Sequence, residues 1–463
     1  MSLRQIKAEE QMNIGGHDRV FAKCGRMLIP FMVLLYAVNY LDRVNVGFAG
    51  LTMTRDLGLS PASFGFGAGI FFIGYLFFQV PANVLLERIG ARRGAFVILL
   101  AWGTISAANA LVRGAASLYL LRFLLGIAEA GFFPSMILYL THWFPQAYRA
   151  RYTASFMAAI PLSSIVGAPL SGLILGMEGV LGLHGWQWLF LLEGTPACAL
   201  AFAVLRFLPD GPAEAAWLTD GEKKTILAQQ SVDDTMQQAD PWATLRDLRV
   251  LVLCVVAFGI GFGGYGVSLW LPQILQSMGY SSATIGFLVA VLSAIGMAAM
   301  IAWGRSSDVR NERAWHVGLP MLLAATGLVL VSILQSGAPA LVALIPVAIG
   351  LLAIDGPFFS LPSSFLKGPA AAAGIALINT VGSLGAFAGP AIVGILKERT
   401  GAYTAGMLSL AAVLCLSAFL VRLLGQAMTP RQQLVRPASE ANDQGSGSPP
   451  AKPANMLTSG SPR

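Results

Sequence analysis

Two pairs of charged residues interrupt long hydrophobic stretches of this sequence and are its best candidates for chemistry. Asp42 and Arg43 lie in the first stretch, and Arg122 and Glu129 lie in the fourth. A charged side chain at the centre of a lipid bilayer costs about 2.5–3.5 kcal/mol by insertion measurements, so such residues usually face a bundle interior and mark ion or substrate pathways. We therefore interpret these four residues as the centre of a functional site.

The spacing within each pair limits what it can do. Arg122 and Glu129 are about two helical turns apart, so both side chains point to one face, about 10.5 Å apart along the axis. They can bind an anion or each other there, and the structural alternative is an ion pair that ties the helix to a neighbour. Asp42 and Arg43 are adjacent, so their side chains diverge by about 100° around the helix and must have separate functions. The alternative is that one of them reaches to the membrane interface.

The composition indicates a membrane protein. The chain has 463 residues, of which 56% are hydrophobic and 11% charged, and its mean hydropathy is +0.67. A soluble domain carries about 25% charged residues, so no soluble fold would hide this much apolar surface. The net charge of +7 arises mostly in short loops, which argues against a nucleic-acid partner. The four cysteines and four histidines are scattered, so no metal site is predicted.

Twelve stretches have the length of about 20 mainly apolar residues that a bilayer span needs. A polar insert divides them six and six, which predicts an all-α membrane protein with two six-helix, pseudo-symmetric halves. The predicted spans are 27–50, 62–86, 94–113, 117–141, 152–176, 187–208, 250–276, 283–304, 315–335, 339–366, 370–396 and 402–425. The predicted parts are an amino-terminal segment (1–26), the first half (27–208), a linker (209–249), the second half (250–427) and a disordered tail (428–463).

Lysine and arginine are concentrated on one side of the predicted bundle. They lie in the amino-terminal segment and in the loops after spans 2, 4 and 8. Because positive residues near span ends favour the cytoplasm, both termini and the linker are predicted to be cytoplasmic.

The two halves repeat a short pattern in spans 4 and 10. Glu129 and Asp355 are each followed by two phenylalanines, three and four positions later. Internal repeats of this kind are typical of secondary transporters, whose substrate site lies between the halves near the midplane. Asp355 itself has two open interpretations, a second proton site or one partner of an ion pair within the membrane.

A charged turn follows span 2. Its residues Glu87, Arg88, Gly90, Arg92 and Arg93 fit a cytoplasmic loop, and a sharper interpretation is a gating latch whose charges pair with helix ends in one conformation only. Elsewhere we find no zinc-protease motif, no phosphate-binding glycine loop and no nucleophile–His–acid set. The sequence therefore does not predict an enzyme.

The chain resembles the anion:cation symporter family of the major facilitator superfamily over about residues 20–425. Residues 40–49, Tyr-Leu-Asp-Arg-Val-Asn-Val-Gly-Phe-Ala, are similar to that family's span-1 signature, and parts of spans 4 and 11 (122–134 and 374–379) also fit. Loop 87–93 resembles the superfamily's span-2/3 motif, with Glu87 where Asp is commoner. Asp355 and Lys367 depart from the family, in which small or neutral polar residues are expected. The sequence looks closest to bacterial permeases for tartrate, phthalate, hydroxyphenylacetate and aldonate-type acids.

The resemblance implies proton-coupled uptake of an organic carboxylate across a bacterial inner membrane, with no cofactor other than protons. The acids matching Asp42 and Glu129 would carry protons, and the arginines matching Arg43 and Arg122 would hold the substrate carboxylate or the acids. Residues matching Tyr40, Tyr75 and Asn379 would help to bind sugar-acid-like substrates. The expected partners are this small anion and lipid, and the protein is expected to be a monomer.

Electrostatics favours the same mechanism. An anion that enters an inside-negative cell works against about 2.3 kcal/mol per charge per 100 mV, and a co-transported proton cancels that charge. We hypothesise that Asp42 and Glu129 occupy the two arginines until protonation frees these for a carboxylate. An organic anion exchanger and a non-transporting membrane sensor remain as alternatives. A cationic-drug exporter is disfavoured by the two interior arginines, and a membrane enzyme by the missing catalytic set.

Overall fold

The computed structural model describes residues 3–233, 246–363, 365–366 and 368–433. Lys367 and positions 434–463 of the predicted tail therefore lie outside the described residues. Every regular element within the described ranges is helical, and twelve spans are long and apolar enough to cross a membrane. This confirms the predicted fold class.

Sixteen α-helices build these spans and the linker within the described ranges. They are α1 (Leu3–Asp56), α2 (Pro61–Ile89), α3 (Ala91–Ala108), α4 (Ala115–Glu129), α5 (Phe132–Thr141), α6 (Gln146–Met157), α7 (Ala159–Ile174), α8 (Gly185–Phe207), α9 (Asp220–Asp233), α10 (Leu248–Ser277), α11 (Ser282–Arg310), α12 (Ala314–Leu334), α13 (Gly337–Ala353), α14 (Asp355–Ser363), α15 (Gly368–Thr400) and α16 (Thr404–Gln433). Span 4 consists of α4 and α5, span 5 of α6 and α7, and span 10 of α13 and α14. Helix α9 belongs to the linker, and every other span is one helix.

Spans 4, 5 and 10 are each interrupted, and in spans 4 and 10 a proline lies just after the break. A proline in a helix lacks an N–H donor and its ring clashes with the carbonyl four residues earlier. Pro134 faces position 130 in this way, where α4 gives way to α5, and Pro357 faces position 353, where α13 ends. Both breaks fall next to an acid, Glu129 in span 4 and Asp355 in span 10. The two halves therefore share an interruption close to an acid, although Glu129 ends the helix before its break and Asp355 begins the helix after its break.

The two halves meet through three pairs of spans, namely 1 with 7, 2 with 11 and 5 with 8. Glycines permit the closest approaches. A Cβ built at Gly65 would lie 2.4 Å from the Pro390 carbonyl oxygen, and one at Gly172 would lie 2.5 Å from the Ser282 carbonyl oxygen. These contacts lie near the span ends remote from the termini and the linker, which we call the outer ends.

The outer ends are also joined by hydrogen bonds. Glu398, near the end of span 11, accepts one from the Ser60 hydroxyl at 2.7 Å and one from the Ala62 amide at 2.9 Å. These groups begin span 2, so a carboxylate from one half caps a helix of the other. Gln276 of span 7 donates to the Leu51 carbonyl of span 1 at 3.1 Å. The halves are thus closed against each other at their outer ends.

Candidate functional site

A cavity of about 360 Å³ lies between the halves. On spans 5 and 11 its lining residues (157–164 and 378–386) lie on the terminus side of the interhalf contacts, so the cavity lies toward the side of the termini. Its volume is within the 300–1,000 Å³ range that is typical of small-molecule sites. Most of its wall is apolar. The polar or charged side chains in the wall include Tyr36, Tyr40, Arg43, Tyr75, Gln79, Ser164, Tyr265, Ser268, Ser293, Asp355, Asn379 and Ser383.

Four of the five predicted substrate-binding residues line this cavity. Tyr40, Arg43 and Tyr75 come from the first half and Asn379 comes from the second. The fifth, Arg122, is fully buried and does not line the cavity. The structure therefore brings one of the two predicted anion-binding arginines to the cavity and leaves the other within the first half.

Arg43 is paired with a buried acid. Its Nε atom donates to Glu129 Oε2 at 2.8 Å, and Asn39 Nδ2 donates to the same oxygen at 2.9 Å. Glu129 is 0% exposed, and Arg43 is 7% exposed where it reaches the cavity wall. Because this ion pair is shielded from water, removal of either charge would leave the other uncompensated. Arg43 is thus the contact between the cavity and the buried carboxylate.

Asp42 points away from the cavity, as the divergence of adjacent helical side chains requires. Its carboxylate accepts hydrogen bonds from Asn45 Nδ2 at 2.8 Å and from the Trp102 indole and the Ser106 hydroxyl. The two donors from span 3 were missed by sequence reasoning. Their spacing of four residues, which places both on one helical face, is the signal that could have found them.

Among the described residues Arg122 forms no ion pair with an acid. Its Nη2 donates to the Arg43 carbonyl at 3.5 Å, and its Nε and Nη1 atoms have no hydrogen-bond partner within the described part of the chain. It does not pair with Glu129, although the two share a helical face. The Phe71 ring lies 5.1 Å from the Arg122 guanidinium carbon and 5.5 Å from that of Arg43. Phe71, which sequence reasoning also missed, thus contacts both arginines.

The charged turn after span 2 contacts the start of the linker. Gly90 has a φ of 84°, which favours glycine, and ends α2. Asp210, at the start of the linker, accepts from the Arg92 amide at 2.9 Å and lies 3.5 Å from Arg92 Nε. Arg88 and Arg93 are exposed, and the side chain of Glu87 lies outside the described residues. The interpretation of this loop as a gating latch stays a prediction.

A charged cluster that sequence reasoning did not single out lies at the outer end of spans 1, 5 and 6. His184 Nδ1 lies 2.7 Å from Glu178 Oε1 and 3.4 Å from Asp56 Oδ2. The hydrogen bond to Glu178 raises the pKa of His184, and Asp56 raises it further. The pKa of Glu178 is lowered, first by the Gly185 amide that donates to it and then by His184. His184 and Glu178 are about half exposed, and none of the three residues lines the cavity.

Two six-span halves around a central cavity, closed at one end, define the architecture of a membrane transporter. The chain matches the family model described as the Major Facilitator Superfamily over residues 32–390, and it belongs to that superfamily. This confirms the resemblance that the sequence motifs indicated.

Individual relatives differ in the transport role that their names describe. The chain is 46% identical to an Agrobacterium vitis protein named "Putative tartrate transporter", over 91% of this chain and 94% of that one. It is 43% identical to the "Quinolone resistance transporter" of Acinetobacter baumannii, over 84% and 90% of the two chains. In fold it is similar to a solved bacterial homologue of the human lysosomal transporter Spinster, with a TM-score of 0.73 at 17% identity and coverage of 88% and 98%.

Proposed function

We propose that this protein takes up an organic carboxylate together with protons by alternating access. The observation that carries the proposal is the Arg43–Glu129 ion pair. Arg43 lines the cavity and Glu129 does not, so this ion pair connects the buried acid to the cavity. A guanidinium presents a planar fork of donors that matches a carboxylate, so Arg43 can bind either Glu129 or a substrate.

Competition for Arg43 supplies the coupling. When Glu129 is ionised it holds Arg43, and when it is protonated this hold weakens and Arg43 becomes available to the substrate. A proton and an anion would thus enter the site together, with little change in its net charge. In the conformation observed here the outer ends are closed and Arg43 is held by Glu129, which corresponds to the state after release toward the terminus side.

Asp42 and Arg122 have less direct roles in this proposal. Three donors hold the Asp42 carboxylate away from the cavity, so we propose it as a second proton carrier that acts inside the first half. Among the described residues Arg122 neither lines the cavity nor forms an ion pair with an acid, so we propose that it contacts the substrate in the outward-facing conformation. Tyr40, Tyr75 and Asn379 are proposed to contact the substrate directly.

The proposed location is a bacterial inner membrane with both termini in the cytoplasm. The excess of lysine and arginine on the terminus side supports this orientation. With it, the closed outer ends face the periplasm and the cavity faces the cytoplasm. A thiol-reactive probe that does not cross membranes would test this in cells, since a cysteine at Leu181 should react from outside and one at Arg206 should not.

Uptake by proteoliposomes tests the function directly. The purified protein is given a panel of labelled carboxylates, including tartrate, with the pH gradient and the voltage set separately. We expect accumulation driven by an inward proton gradient. Glu129→Gln should abolish that accumulation while it preserves exchange of labelled for unlabelled substrate, whereas Arg43→Ala should abolish both.

A matched control comes from Glu193, another membrane-embedded acid. It accepts from the Ser171 hydroxyl at 2.6 Å and does not line the cavity, so Glu193→Gln should retain proton-driven accumulation. Exchange without any dependence on pH in the unmodified protein would instead support the anion exchanger. Binding without flux would support the sensor. Outward movement of an aromatic substrate alone would support an exporter, which the name of the Acinetobacter relative makes a specific alternative.

A further inference from the structure

Asp355 is an acid in the cavity wall that the proposed coupling mechanism does not use. It comes from the second half, whereas Arg43 comes from the first, so the described part of the cavity wall has a cation on one half and a carboxylate on the other. No hydrogen bond or ion pair joins Asp355 to another residue in the described ranges. The sequence left two interpretations of Asp355 open, and the described residues supply no partner for the second of them, an ion pair within the membrane.

Glu129, the counterpart of Asp355 in the sequence repeat, has the opposite surroundings. Glu129 is fully buried, accepts hydrogen bonds from Arg43 and Asn39, and does not line the cavity. Asp355 is only partly buried and lines the cavity at the break between α13 and α14. The two halves thus place the acid beside their interruption in different surroundings. The first half places its acid behind an arginine, and the second half presents its acid to whatever occupies the cavity.

We infer that Asp355 binds a hydrogen-bond donor or cationic group of the substrate, at the end remote from the carboxylate that Arg43 binds. The inference rests on the proposed function and narrows its substrate class to carboxylates that also carry an ammonium or hydroxyl group. An acid that is left without a donor in an enclosed site is unfavourable, so such a site rejects an analogue that lacks the donor. A second substrate carboxylate next to Asp355 is rejected more strongly, because like charges repel.

The rest of the wall agrees with a substrate of this kind. Tyrosine and phenylalanine side chains from both halves line the same cavity as the two charged groups, among them Tyr36, Phe72, Tyr265 and Phe358. These rings can pack against the apolar middle of a substrate, while Arg43 and Asp355 bind its polar ends. The expected substrate is therefore a compact carboxylate with an apolar or aromatic middle and a donor at its far end.

Four benzoates that differ only at the para position test this inference. They are benzoate, 4-(hydroxymethyl)benzoate, 4-(aminomethyl)benzoate and terephthalate, and their dissociation constants are measured by calorimetry on the full-length protein in nanodiscs. We expect the aminomethyl compound to bind most tightly and terephthalate most weakly. Asp355→Asn should weaken the aminomethyl compound about tenfold or more, strengthen terephthalate, and change benzoate by less than about threefold.

Two further variants separate this inference from the proposal beneath it. Arg43→Ala should weaken all four compounds, because all share the carboxylate, and Glu193→Gln, an acid-to-amide change outside the cavity, should leave their order unchanged. If benzoate binding is unaffected by Arg43→Ala, or if no carboxylate binds, the proposed function is wrong. If benzoate needs Arg43 but Asp355→Asn alters all four compounds equally or none, only the role of Asp355 is wrong.

Discussion

Closure of the outer ends depends on a backbone-to-backbone approach that a single methyl group should disrupt. A Cβ at Gly65 would lie 2.4 Å from the Pro390 carbonyl oxygen and 3.2 Å from both the Pro390 carbonyl carbon and the Trp270 ring. The nearest of these atoms is backbone and cannot rotate away. Ordinary contact begins near 3.4 Å, so Gly65→Ala requires spans 2 and 11 to separate by about 1 Å at this point.

The magnitude follows from the cost of overpacking. An added methylene in a well-packed site costs about 1–3 kcal/mol. This penalty applies only while the outer ends touch, and it disappears when the halves part there. The ratio of outer-closed to outer-open molecules should therefore fall by about 5- to 150-fold, the range that 1–3 kcal/mol represents.

Spin-label distance measurements report this ratio. One label is placed at Leu181 in the first half and one at Ala402 in the second, both at exposed outer positions, after replacement of the four native cysteines. Gly65→Ala should move population from the short-distance to the long-distance component. Gly304→Ala is the matched control, because a Cβ at that helical glycine would meet no heavy atom of another described segment within 4 Å. An unchanged distribution for Gly65→Ala would refute the steric argument.

Three further outcomes are expected from contacts outside the cavity. Glu398→Gln weakens the charged cap on span 2, at a cost of about 1 kcal/mol, and should lower the short-distance component of the same labels roughly fivefold; an unchanged component would show that the cap is irrelevant to closure. NMR titration should place the pKa of His184 above 6.5, and Glu178→Gln should lower that pKa. Because the folded-state pKa is raised, the pairing of protonated His184 with Glu178 stabilises the outer loop fully below pH 6.5, and this stabilisation is lost as pH rises through the raised pKa. Trp102→Phe removes one donor from the buried Asp42 carboxylate and should cost about 1–3 kcal/mol, visible as a lower Tm in detergent, whereas an unaltered Tm would mean that the other two donors suffice.

Much of the fold was accessible from the sequence because the bilayer imposes a simple length rule. A span must be about 20 apolar residues, and backbone groups in lipid must be satisfied within a helix. All twelve predicted spans are present. The interruptions of spans 4, 5 and 10 were not predicted, although Pro134 and Pro357 are a chemical cause for those of spans 4 and 10. In membrane helices proline is frequent and most prolines leave the helix continuous, so its presence alone does not locate a break.

The candidate site was accessible in part. A charged residue in an apolar span is a candidate site residue whichever way its side chain points, so the sequence did not distinguish Arg43 from Arg122. Their difference arises from packing, because Arg43 reaches the cavity while Arg122 lies among the helices of the first half. The donors to Asp42 come from span 3, which is distant in sequence, and no local pattern specifies which helix lies opposite. Helical periodicity gives the direction of a side chain but not the identity of its neighbour.

The sequence by itself determined that this is a twelve-span membrane transporter with charged groups inside its first half. Hydrophobic length and the energetic cost of buried charge are properties of local composition, and they need no knowledge of the tertiary arrangement. Only the tertiary structure decided which partner each charged residue has and which of them reach the cavity. It joined Arg43 to Glu129, surrounded Asp42 with donors, left Arg122 without a hydrogen bond to either acid among the described residues, and exposed Asp355 to the cavity. Pairing over such distances depends on which helices pack together, and that is set by the whole bundle.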